Sequence, residues 1–99
     1  MDYALAAKDL LNGKELIKAI EFNDNNIFFY TRSNGSRKDK KFFNQLSEYL
    51  IDGTSGIRDK KSFYFDFHDN RIFIIKLTFN FDSDKNKAAE KWKRLRECI

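Results

Sequence analysis

The chain has 99 residues, of which 41% are hydrophobic, 16% aromatic and 34% charged, and its formal net charge is +4. This length excludes a second domain, and the apolar content, which includes 11 Phe, excludes disorder for most of the chain. The single cysteine excludes an intrachain disulfide, and neither a secretory signal nor the roughly 18 apolar residues of a membrane span are present. We therefore expect one cytoplasmic domain, residues 1–99, without a membrane partner.

An internal repeat orders the elements that the sequence predicts. Residues 21–28 read EFNDNNIF and residues 66–73 read DFHDNRIF, an offset of 45 residues. Upstream of each, residues 10–13 read LLNG and residues 50–53 read LIDG. Two matches in the same order predict a tandem αββ repeat, with a first unit at residues 1–35 and a second unit at residues 38–82.

The first unit begins with a predicted helix, because its apolar residues recur at helical spacing up to Asn12-Gly13, where glycine ends the helix. This stripe comprises Tyr3, Ala6, Ala7, Leu10 and Leu11. Strands are predicted at about 16–22 and 26–32, although the pattern of residues 16–22 also fits a helix. Side chains alternate between the two faces of a strand, and we expect the core face of this hairpin to carry Ile20, Phe22, Phe28 and Tyr30.

The second unit repeats this order with a helix that Gly53 ends and with strands at about 62–67 and 71–81. The helical stripe comprises Phe42, Phe43, Leu46, Tyr49 and Leu50. We expect a three-residue loop at 68–70, with Asn70 in the left-handed conformation that asparagine tolerates. This loop would place on one core face Phe63, Phe65, Phe67, Phe73, Ile75, Leu77 and Phe79.

A basic amphipathic helix is predicted over the C-terminal residues 83–99. Ser83 is the expected N-cap, and Asp84 is favourable in the first turn. The apolar stripe of this helix comprises Ala88, Trp92, Leu95 and Ile99. The complete order is αββαββα, which predicts the α+β class with a four-stranded antiparallel sheet and helices mainly on one of its faces.

The opposite face of this sheet is the predicted docking surface for a partner. The candidate partner-binding residues there are Ile27, Phe29, Tyr64 and Ile74. If exposed, they would form an apolar patch of the kind that marks an interaction surface. Two alternatives remain open: the C-terminal helix covers the patch with Trp92 and Leu95, or a homodimer forms through it.

Clustered basic residues point to a nucleic-acid partner, DNA or RNA, because lysine and arginine follow the phosphate backbone. The candidate nucleic-acid-binding residues are Arg32, Arg37, Lys38, Lys40, Lys41, Lys60, Lys61, Lys87, Lys91 and Arg94. We expect electrostatic capture by a basic loop at 32–41 and by the C-terminal helix, with bases stacking on Phe29 and Tyr64. The alternative is a protein-binding inhibitor or adaptor, encoded by a phage or mobile element.

No catalytic or cofactor motif accompanies these clusters. His68 is the only histidine and Cys98 the only cysteine, so the four protein ligands of a structural zinc site are not supplied by these residue types. His68 lies beside Asp69 in a predicted turn with no nucleophile adjacent to it in sequence. We therefore expect a binding protein without catalytic residues, metal or cofactor.

Overall fold

The computed structural model of the protein describes residues 13–97. The predicted N-terminal helical stripe, together with Cys98 and Ile99 at the C-terminus, lies outside the described residues. The described elements are a 3-10 turn at Lys14–Leu16, β1 Ile17–Asn23, β2 Asn26–Thr31, α1 Arg37–Ile51, β3 Ile57–Phe67, β4 Asn70–Phe79 and α2 Asp82–Glu97.

The four strands form one antiparallel sheet in the order β1-β2-β4-β3. The chain therefore has the predicted α+β class, with β2 and β4 at the centre and β1 and β3 at the edges. The strand β3 begins at Ile57 rather than near residue 62, and β4 ends at Phe79 rather than at Phe81.

The turn between β3 and β4 has two residues, so the three-residue loop predicted at 68–70 is wrong. Phe67 pairs with Asn70, and both intervening residues are left-handed, with φ of 48° at His68 and 64° at Asp69. Two left-handed central residues give the turn the twist that matches the flanking strands. The shorter turn changes which side chains of β3 share a face with those of β4.

The pairing that follows from this turn divides the predicted phenylalanine face between the two sides of the sheet. Tyr64 pairs with Phe73, whereas Phe63 pairs with Ile74 and Phe65 with Ile72. Directly paired residues point to the same side of a sheet. Phe63 and Phe65 therefore lie on the opposite side from the residues of β4 that they were expected to join.

Helices α1 and α2 both pack on one side of the sheet, which we call the covered face. Its central residues are Ile27, Phe29, Phe73, Ile75, Leu77 and Phe79, all of them buried. The ring of Phe43 from α1 lies 5.7 Å from that of Phe73, and Trp92 from α2 meets Phe29 edge-on at 6.0 Å. The prediction that the helices lie mainly on one face is confirmed for the two helices within residues 13–97.

The first hairpin also turns over two residues, Asp24 and Asn25, and its faces differ from the prediction on β2. Phe22 pairs with Ile27 and Ile20 pairs with Phe29, so these residues share the covered face. Phe28 and Tyr30 were expected in the core but point to the other side. The reason is that Ile27 and Phe29, one position away on the same strand, are the residues buried in the core, where the ring of Phe29 meets that of Trp92 on α2.

Helix α1 begins earlier than its apolar stripe because a cap precedes it. Ser36 has an extended backbone, and its hydroxyl accepts a hydrogen bond from the backbone N–H of Asp39 at 3.2 Å. The predicted stripe is confirmed, since α1 buries Phe43, Leu46 and Leu50. The predicted basic loop at 32–41 is therefore a short loop followed by the first turns of a helix.

Helix α2 begins at Asp82, so Ser83 lies inside its first turn rather than at the N-cap. Its buried apolar residues are Ala88, Trp92 and Leu95, as the periodicity predicts. The carboxylate of Asp84 is also buried and accepts a hydrogen bond from the hydroxyl of Ser55. Neither helix within residues 13–97 is long and apolar enough to cross a membrane.

Candidate nucleic-acid interface

The loop before α1 holds the acidic residue of the basic segment away from its basic neighbours. The hydroxyl of Ser33 donates to a carboxylate oxygen of Asp39 at 2.6 Å and accepts from the backbone N–H of Gly35 at 2.9 Å. Asn34 accepts from the backbone N–H of Ser36 at 3.2 Å. These local bonds fix the start of α1, and they direct Asp39 toward Ser33 in the loop.

Basic side chains line the exposed side of α1 around a shallow pocket of about 540 Å³. Its lining includes Arg37, Lys40 and Lys41, together with the acid Glu48 about two to three turns further along. Lys38 is exposed beside them. Within residues 13–97, none of the four bases lies within ion-pair distance of a carboxylate.

Lys60 brings β3 into the same surface. Its ammonium donates to the side-chain oxygen of Asn44 on α1 at 2.6 Å. Burial lowers the pKa of Lys60, and the nearby Glu48 carboxylate offsets part of that effect.

A chain of aromatic and basic groups continues this surface to the rim of the covered face. The ammonium of Lys40 lies 5.8 Å from the ring centre of Phe73, and the Phe73 ring lies 5.3 Å from that of Tyr64. The guanidinium of Arg71 lies over the Tyr64 ring at 4.4 Å, within the range of a cation–π contact. We call the group Arg37, Lys38, Lys40, Lys41, Lys60 and Arg71 the basic surface.

The remaining basic candidates lie elsewhere. Lys61 is on the opposite side of the sheet from Lys60, because successive strand residues alternate, and it lies 3.7 Å from the Asp59 carboxylate. Lys91 donates to the backbone carbonyls of Tyr49 and Asp52 at the end of α1, so it serves the packing of the two helices. Other exposed candidates are Arg32, Lys87 and Arg94.

The predicted partner-binding residues are not brought together. Ile27 and Phe29 are each 1% exposed, so their placement on a free face is wrong: they belong to the covered face, where Phe29 packs against Trp92 of α2. Tyr64 is exposed at the rim of the covered face, where its phenol ring abuts Gly35. Ile74 is on the other side of the sheet, as expected, but only 6% exposed.

The side of the sheet that neither α1 nor α2 covers, which we call the open face, carries both rings and charges. Its residues are Glu21, Phe28, Tyr30, Lys61, Phe63, Phe65, Ile72, Ile74, Lys76 and Thr78. Phe63 is 42% exposed and Phe65 is 51% exposed. The rings of Phe28 and Tyr30 lie 6.5 Å apart at an interplanar angle of 20°. The open face therefore displays aromatic rings, but they are not Phe29 and Tyr64, the rings that were predicted to stack with bases.

A groove of about 870 Å³ separates the edge strand β1 from α2. Its apolar lining includes Ile20, Phe22 and Trp92, and its charged lining is mixed, with Lys18, Lys93, Arg96, Glu15, Glu90 and Glu97. Because both acids and bases line it, the charges of this groove do not favour an anionic ligand.

The described part of the chain was also searched for groups of side chains that could bind a metal ion. Within residues 13–97, no group of three or more His, Cys, Asp and Glu residues converges in a way that could hold a metal ion. His68 lies in the exposed turn between β3 and β4.

Sequence reasoning missed Arg71, Phe28, Tyr30 and the pair Phe63 and Phe65 as surface groups. The signal that could have found most of them is the turn chemistry. A two-residue turn at 68–69 places Phe63 and Phe65 opposite Ile74 and Ile72, on the face that also holds Lys76.

Comparisons of the chain with protein-family models, with curated proteins and with solved structures find no match.

Proposed function

We propose that this chain is a small nucleic-acid-binding module without catalytic function, and that it acts in the cytoplasm. The observation that supports the proposal is the basic surface on α1 and β3. Four bases lie in the first two turns of α1, and the acid among them, Asp39, accepts a hydrogen bond from Ser33 instead of facing a base. A surface of this kind attracts a polyanion.

The basic surface would bind by releasing counterions from the phosphate backbone, which makes affinity depend steeply on salt. Lysine and arginine contacts to phosphate carry no sequence information directly. The proposed module therefore binds many sequences with similar affinity through this surface. Arg71 adds a planar group that can contact phosphate and that already lies against an aromatic ring at Tyr64.

A second candidate function is protein binding, as an inhibitor or adaptor of a phage or mobile element. The observation that favours it is the exposure of Phe63 and Phe65 on the open face beside Ile74. Exposed apolar groups that adjoin one another are typical of interaction surfaces. In this case a protein partner or a second copy of the chain would bury these rings.

The test is a titration with labelled single- and double-stranded DNA and RNA at several salt concentrations. We expect Lys38→Glu/Lys40→Glu/Lys41→Glu to weaken binding for every sequence and to lower the salt slope by about two to three, since each phosphate contact contributes about 0.9 for duplex DNA. Circular dichroism checks that the variant is folded.

The matched control is Lys18→Glu/Lys93→Glu/Arg96→Glu, which changes the net charge equally but on the β1–α2 groove. This control variant should retain most of the affinity for nucleic acid. Equal losses of affinity in the two variants would mean that overall charge determines binding, and would contradict a role for the basic surface in particular. Absence of binding by the unaltered protein at low salt would overturn the proposed function itself.

A further inference from the structure

Two lysines face each other at the middle of the open face. Lys61 on β3 pairs directly with Lys76 on β4. Like charges directly opposite each other in a sheet are destabilising. Asp59 lies 3.7 Å from Lys61, but Lys76 has no carboxylate within ion-pair distance among residues 13–97. An anion bound over this pair would relieve the repulsion.

Aromatic rings flank the lysine pair on two sides. One residue row of the sheet runs from Phe63 through Ile74 to Tyr30, and the next row runs from Lys61 through Lys76 to Phe28. Neighbouring strands are about 4.8 Å apart, so Phe63 and Tyr30, two strands apart, are about 10 Å from each other across the sheet. The open face therefore presents two neighbouring ammonium groups bordered by aromatic rings, over a width of about 10 Å.

This arrangement of rings and lysines fits an unpaired strand, whose bases can stack on rings while its phosphates contact lysines. In a duplex the bases are already stacked on one another and their flat faces are not available. In other proteins, sheets that display aromatic rings stack two or three bases in this way.

The charge pair argues against the other occupants of this face. A protein partner would have to bury Lys61 and Lys76 near the centre of its interface, where charged residues are depleted. A second copy of the chain, placed across a two-fold axis, would add the same pair of positive charges to the same interface. An anionic strand, in contrast, neutralises them.

We propose that the open face binds single-stranded nucleic acid, with bases on Phe63, Tyr30 and Phe28 and phosphates at Lys61 and Lys76. This inference rests on the proposed function and names its ligand class. The basic surface then supplies attraction for any polyanion, and the open face supplies the preference for an unpaired strand.

The experiment compares a labelled 12-nucleotide single strand with the duplex of the same sequence, using fluorescence anisotropy. We expect Phe63→Leu to weaken single-strand binding by roughly 5- to 150-fold, the range of about 1–3 kcal/mol per stacked base, and to leave duplex binding unchanged. The matched control is Phe81→Leu, because Phe81 is 60% exposed but precedes α2 outside the sheet. This control should change neither affinity.

A second variant keeps the test valid if Phe63→Leu impairs folding. Lys61→Gln/Lys76→Gln should lower the salt slope of single-strand binding by about one to two, since single strands contribute about 0.7 per phosphate contact. The same change should increase thermal stability slightly in the absence of nucleic acid, because the repulsion between the two lysines is removed.

Three outcomes would overturn the inference. Equal loss of single-strand and duplex binding in Phe63→Leu would do so, as would unchanged affinity in both open-face variants. A dimer in light scattering that Phe63→Leu dissociates would assign the face to a second copy. If the unaltered protein still binds duplexes through the basic surface in these cases, the proposed function stands while this inference fails.

Discussion

The two hairpins carry the same eight-residue pattern but present it to opposite sides of the sheet. Ile27 in the first hairpin is buried on the covered face, whereas its sequence equivalent Ile72 is on the open face. Phe28 and Phe73 are also equivalent, and here Phe28 is on the open face and Phe73 is buried under α1.

The position of the turn within the pattern explains this exchange. The first hairpin turns at Asp24 and Asn25, and the second turns at His68 and Asp69, one position earlier in the repeat. A shift of one residue moves every side chain of a strand to the other face. The comparison teaches that equivalence in sequence does not imply equivalence in burial when the turn can move.

The largest expected effect is a difference in stability between the two equivalent phenylalanines. Phe73→Ala should destabilise the protein by about 3–5 kcal/mol, because it removes a buried ring that contacts Phe43 and Tyr64. Phe28→Ala should cost only about 1 kcal/mol, since its half-buried ring loses less apolar contact. Urea denaturation measures the free energy of unfolding of both variants.

Phe73→Leu and Phe28→Leu provide the same comparison if the alanine variant of Phe73 does not fold. Similar losses at the two positions would contradict the exchange of faces between the hairpins.

A smaller effect is expected at the second residue of each turn. Asp69 is left-handed, so Asp69→Ala should cost about 1 kcal/mol, because alanine lacks the polar side chain that stabilises this conformation. Asn25 is not left-handed, so Asn25→Ala should change the free energy of unfolding by less than about 0.5 kcal/mol. The reverse order in thermal denaturation would mean that the turns are not placed as described.

The smallest expected effect concerns the acid that precedes each turn, Glu21 in the first hairpin and Asp66 in the second. The phenol of Tyr30 donates to Glu21 at 2.7 Å, and this bond, with burial and the negative charge of Glu21, raises the pKa of Tyr30. The raised pKa contributes stability that is complete below the usual tyrosine pKa and is lost as the pH rises through the Tyr30 pKa.

Titration of the Tyr30 ring by NMR checks this expectation. Glu21→Gln should lower the Tyr30 pKa toward its ordinary value, because the negative charge next to the phenolate is gone. Asp66→Asn is the control, since Asp66 lies 3.7 Å from Arg71 on the other hairpin. A Tyr30 pKa that does not respond to Glu21→Gln would show that the hydrogen bond does not persist in solution.

Periodicity and the internal repeat were enough to predict the class, the two hairpins and the buried stripes of α1 and α2. Phe43, Leu46 and Leu50 recur at helical spacing, and helices leave little choice about which face is apolar. The hairpin faces could not be fixed in the same way, because the strands carry apolar residues on both sides. Ile27 and Phe28 are adjacent and both apolar, so the side of the sheet on which the core forms decides which of them is buried.

For the candidate interface too, sequence identified the residues brought together by a helix and missed those brought together by strand pairing. The bases at the start of α1 were identified from sequence because they lie within five residues of one another, and a helix keeps them close together. Arg71 was missed because strand pairing alone brings it beside Tyr64. Lys91 was chosen for its charge, but its two carbonyl partners on α1 are distant in sequence.

The central pairing of β2 with β4 has a consequence for the rate of folding. Each hairpin closes through a short turn, but the two hairpins meet only where contacts such as Thr78 Oγ1 donating to Asn26 Oδ1, 52 residues apart, are formed. Closing a long loop costs entropy before any contact compensates for it, so folding slows as contacts become less local. We expect the hairpins to form early and their joining to limit the rate, so that variants along β2 and β4 slow refolding more than variants in the turns.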